Sequence, residues 1–144
     1  MKQSYQDPEL AQIEEDIGTA IDFCADGEDR RATVILERSN QKLRLLAVGA
    51  HRVEALRLWA MSLVVLEEWE QALLRYEQIL SIEPENEDAL WQSVLILLRS
   101  MEKPESARIL LNERLLPLSR LPEYLDVLRE CEAALGIERD KSEA

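Results

Sequence analysis

The chain has 144 residues, 47% of them hydrophobic, enough for one domain with a buried core and short for two. Its 29 acidic and 17 basic residues give a net charge of −12, which argues against nucleic-acid binding, because phosphate contact is dominated by Lys and Arg. The longest apolar stretch, Leu58 to Leu66 interrupted by Ser62, is too short to span a bilayer, and the N-terminus lacks the apolar run of a signal peptide, so a cytoplasmic protein without membrane insertion is expected.

With four glycines, five prolines and abundant Leu, Ala, Glu and Arg, the sequence predicts an all-α fold of about seven helices. Asp7-Pro8 opens the first, whose apolar stripe is Leu10, Ile13, Ile17, Ile21 and Cys24 until Asp26-Gly27 breaks it. The second runs to about Val48 with Ala32, Ile35, Leu36, Leu43 and Leu46 on one face, and pairs antiparallel with the first. Residues 1–29 hold nine acids and one lysine, whereas 30–57 hold seven Arg or Lys against Glu37 and Glu54, so an acidic helix is expected beside a basic one. A third helix from about Val53 to Glu67 is apolar around most of its circumference and should be central. Trp69 to Ile82 forms its partner, and Glu83-Pro84-Glu85-Asn86 makes the exit turn. The next helix begins near Glu87 and ends around Met101-Glu102-Lys103, Pro104 starts another, and a last one spans Pro122 to Leu135 before Gly136. The polar tail 137–144 is expected to be disordered. Cys24 and Cys131, far apart and without CxxC spacing, read as buried thiols rather than a disulfide.

Residues 53–86 resemble a tetratricopeptide (TPR) repeat, with Leu56, Trp59, Ala60 and Leu63 on the first helix and Ala72, Tyr76 and Pro84 on the second. Ala72 permits close helix approach, Tyr76 fills the space between helices, and Pro84 stops the second helix. Residues 88–121 resemble a further repeat through Trp91, Val94, Leu98, Ala107 and Leu111. There Leu95 and Arg114 replace small residues, and Ala107 lies 35 positions after Ala72 where the family period is about 34, the extra residue being placed at Glu87. Residues 13–46 resemble a degenerate repeat through Ala20, Phe23, Ala32 and Leu36. The resemblance implies one domain over 1–136, a TPR-like stack of antiparallel helix pairs with 122–135 as its C-terminal capping helix.

In that family the first helix of each repeat lines a concave groove. The resemblance places Glu54, Arg57, Met61, Val64 and Val65 there from the first clear repeat, Gln92, Ile96, Arg99 and Ser100 from the second, and Ile17, Ile21 and Cys24 from the degenerate one. The Lys and Asn residues with which related modules hold a C-terminal carboxylate are missing, so an amphipathic helix or apolar peptide of another protein is the expected ligand. Alternatively, a helix of this chain covers the groove, or a second copy does, and in the latter case the apolar repeat surface serves self-association in a homodimeric assembly protein. Trp69, at the turn between paired helices, is a possible anchor for a partner. His51 is the single histidine, and no glycine-rich loop, GxSxG, HExxH or Cys-His arrangement occurs; a non-catalytic adaptor or chaperone without metal or cofactor is therefore expected.

Overall fold

A computed structural model describes residues 7–136, and among these the secondary structure is entirely helical. Seven helices follow in order: α1 (Pro8–Ala25), α2 (Asp29–Leu46), α3 (Arg52–Val65), α4 (Trp69–Ile82), α5 (Glu87–Leu95), α6 (Pro104–Leu110) and α7 (Pro122–Ala134). α5 and α6 run on without a break into π-helical turns, Ile96–Ser100 and Leu111–Leu115. The polar tail read as disordered, 137–144, lies outside the described residues. The chain divides after Ile82 into two compact units.

The first unit starts where Asp7 caps α1, its carboxylate accepting the amide N–H groups of Glu9 at 2.9 Å and Leu10 at 3.4 Å, with Pro8 in the first turn where no N–H is needed. α1 ends in a Schellman turn: the amide of Glu28 donates to the Phe23 carbonyl and that of Gly27 to Cys24, with Gly27 at φ +80°. This short turn returns α2 along α1, and α3 packs against α1, α2 and α4. Leu10, Ile13 and Ile17 of α1, Ala32, Leu36 and Leu43 of α2, Ala55, Leu58 and Ala60 of α3, and Ala72, Tyr76 and Ile79 of α4 are buried. α3 is thus central, as its near-continuous apolar composition requires.

The buried stripes are narrower than the sequence predicts. Ile21 is exposed, because Ala20 takes the inward position one residue before it. Ile35 and Leu46 are only half-buried, with Ser39 and Ala47 inside instead. α2 also stops at Leu46 rather than Val48.

The second unit opens with Asn86, whose side-chain oxygen accepts the Ala89 amide at 2.9 Å while its amide group donates to Glu83. α5 packs on α6, and α6 on α7. The two π-turns are marked by amide-to-carbonyl bonds spanning five residues, Met101 to Ile96 and Leu116 to Leu111.

The second helix pair repeats the first at a constant offset. α5 and α6 begin 35 residues after α3 and α4. The turns between the paired helices each place a glutamate in the left-handed region at the same offset, Glu67 at φ +62° and Glu102 at φ +55°. The π-turns break this equivalence in burial. α4 buries Tyr76, Ile79 and Leu80, whereas the α6 rod buries Leu111, Leu115 and Leu116. The wide turn swings Arg114, the counterpart of Ile79, out of the core and brings in the following leucine. The freed guanidinium donates to the Pro84 carbonyl at 3.1 Å.

Candidate functional site

At roughly 100° per residue, Glu54, Arg57, Met61, Val64 and Val65 fall within about a third of the circumference of α3. All five are half-buried, while Ala55, Leu56, Leu58, Ala60, Ser62 and Leu63 on the other sides of the same helix are buried. The sequence-predicted residues of this helix therefore form one continuous sector that its neighbours leave partly open. Its centre is apolar, made by Met61, Val64 and Val65.

Charge sits at the edge of this sector. The Arg57 guanidinium is paired with Glu54 one turn earlier, lies 3.7 Å from the carboxylate of Glu14 on α1, and donates to the Met61 sulfur at 3.2 Å. Glu14 and Arg57 bridge the acidic first helix and the basic region; Arg31 of α2 instead pairs with Glu28 and lies over the Phe23 ring at 5.6 Å. Both partners of the Glu14 bridge are partly exposed, so it orients Arg57 more than it stabilises the fold.

Elsewhere on the unit, the Trp59 ring carries Arg75 at 4.3 Å, a cation–π contact that covers the half-buried indole. The Arg75 guanidinium is held below its ordinary value, first by burial and then by the charge of Arg44. Trp69 opens α4 and is half-buried, so part of the ring remains accessible. Of the degenerate-repeat residues, Ile17 is buried, Ile21 exposed and Cys24 half-buried. The expectation of two buried thiols holds only for Cys131, because Cys24 lies in the last turn of α1 where the cover thins.

In the second unit the sequence-predicted residues do not share one environment. Gln92 and Ser100 are half-buried, Arg99 is exposed, and Ile96 is 4% exposed. Ile96, at the start of the first π-turn, is buried, whereas its 35-residue counterpart Met61 stays half-open on regular α-helix. Arg99 makes a two-pronged ion pair with Glu130 of α7, the shorter contact being 2.8 Å, and its guanidinium is raised chiefly by that bond.

A feature that sequence reading missed is a cavity of about 300 Å³ between the end of the α6 rod and α7. Leu116, Leu125 and Leu128 floor it, with Asn112, Arg120 and Arg129 around it. No spacing signal unites those residues, since the chain reverses between Pro117 and Pro122 to assemble them.

No family model, curated protein or solved structure matches this chain. Among the described residues no group of three or more His, Cys, Asp or Glu is placed to hold a metal ion, and no helix is long and apolar enough to cross a membrane.

Proposed function

We propose that this chain is a non-catalytic, cytoplasmic protein-interaction scaffold, an adaptor or chaperone, whose α3 face holds an amphipathic helix or apolar segment of another protein. The observation carrying this reading is the half-open sector of α3, in which Met61, Val64 and Val65 make an apolar strip beside the tethered Arg57. An incoming apolar helix face would complete the burial of that strip, and Arg57, already oriented by Glu14 and Glu54, would set its register by meeting a polar group at the rim. The TPR resemblance of residues 53–86 supports the same assignment, because the first helix of such a repeat is the one that lines the binding surface.

The test compares wild type with Met61→Asp and Val65→Asp, by light scattering and by mass spectrometry of what co-purifies from the native cell. A monomer whose bound protein is lost in both variants, with helical circular dichroism unchanged, supports the scaffold. A dimer that the substitutions dissociate assigns the strip to self-association instead, and variants that alter neither property remove α3 from the binding surface.

A further inference from the structure

The face of α2 opposite its buried stripe is left uncovered by the described residues and carries charge of the sign opposite to that of the whole chain. Ala32, Leu36, Ser39 and Leu43 point inward. On the far side, Val34 is 52%, Leu45 74% and, just beyond the helix end, Val48 82% exposed. Val34, Arg38, Gln41, Leu45 and Val48 follow each other at alternating steps of four and three, the 3.5-residue period of a coiled-coil seam. Arg30 and Lys42 flank that seam, and Arg44 lies at its edge. Arg30, Arg38, Lys42 and Arg44 have no carboxylate partner among the described residues; Glu37 is the single acid interspersed with them. Arg44 also bears on Arg75, its charge adding to burial in holding that guanidinium below its ordinary value.

We propose that this α2 face is a second docking surface, for an acidic amphipathic helix of another protein whose apolar residues recur at heptad spacing with Glu or Asp beside them. Charge complementarity selects that occupant. A second α2 would set cations against cations, whereas Glu or Asp beside an apolar seam would meet Arg30, Arg38 and Lys42 at short range. Three aliphatic side chains, moreover, are a small anchor for a membrane and a fitting seam for one helix. The surface is distinct from the α3 strip and does not depend on it.

The test titrates the full-length protein with a labelled synthetic helix of about three heptads, Leu at the seam and Glu at the flanks. Controls are the same peptide with Lys flanks and vesicles rich in phosphatidylserine. Expected is saturable binding of the Glu peptide that weakens with salt, falls at least tenfold in Leu45→Glu and in Arg38→Glu/Lys42→Glu with helical content unchanged, and persists in Met61→Asp. Equal binding of the Lys peptide, indifference to the α2 substitutions, loss in Met61→Asp, preferential uptake by vesicles, or self-association abolished by Leu45→Glu would each overturn the assignment.

Discussion

The phenol of Tyr124 in α7 donates a hydrogen bond of 2.5 Å to the Glu87 carboxylate in the first turn of α5, and its ring lies 4.7 Å from that of Trp91. One side chain thereby ties the last helix of the second unit to its first. Burial, and then the bond to Glu87, raise the Tyr124 phenol above the ordinary tyrosine value. A raised value favours the neutral phenol in the folded state. Its contribution is fully present below the ordinary value of about 10 and is lost as pH climbs through the raised one. Tyr124→Phe should cost about 1–2 kcal/mol at neutral pH, flatten the alkaline decline in stability, and remove a late phase from the ultraviolet phenolate titration. Denaturant unfolding at pH 7 and pH 11 with that titration checks all three.

Ser62 and Ser93 are buried, and neither hydroxyl oxygen has a hydrogen-bond partner. Ser62→Ala and Ser93→Ala should each raise stability, by about 1 kcal/mol, through removal of an unsatisfied polar atom and gain of a better helix former. A lower unfolding midpoint in either variant would show that its hydroxyl is bonded after all.

The two thiols should react at very different rates. Cys131 is fully buried and its thiol is pushed up by burial first and by Glu130 and Glu132 next, whereas Cys24 is half-buried. A chromogenic disulfide reagent should label one equivalent promptly in the native protein, none in Cys24→Ser, and the second only on unfolding.

The π-turn at Leu111–Leu115 holds one residue more than a regular helix needs between its buried leucines. Deleting Glu113 should close it to α-helix, placing the two leucines three and four residues after Leu111, the spacing of Ile79 and Leu80 after Tyr76. The deletion is expected to cost under about 1 kcal/mol, whereas deleting Glu77 from α4 should cost several, since it rotates Ile79 and Leu80 out of the core. Parallel denaturant melts decide the comparison.

Much of the helix plan was legible in the sequence, because caps and breakers are local signals. Asp7-Pro8, Asp26-Gly27, Pro104 and Pro122 stand at the ends they predict, and α4 spans the expected Trp69–Ile82. The five α3 residues that the repeat resemblance names share one sector, since regular α-helix converts spacing directly into angle. Ile96 was not legible. Its burial is decided by what packs over it in the second unit, and whether a helix widens by one residue by which of two adjacent side chains packs better, tertiary choices with no local marker. Arg114 against Leu115 and Leu116 poses the same choice. The outer face of α2 is not legible in the sequence for another reason: aliphatic Leu45 and Val48 cannot be told from core residues until the buried stripe is fixed by Leu36, Ser39 and Leu43.

Glu67 closes α3 in the position where such a turn favours glycine: the Glu68 amide donates to the Leu63 carbonyl and the Glu67 amide to Val64, with Glu67 itself left-handed. Glu102 is left-handed in the corresponding turn. The hydrogen bonds enforce a backbone that a glutamate resists, at a cost on the order of 1 kcal/mol each. A single base change converts a glutamate codon to a glycine codon, so both joints lie one mutational step from relaxation. They are evolutionary headroom, able to offset destabilising substitutions accepted elsewhere on the chain.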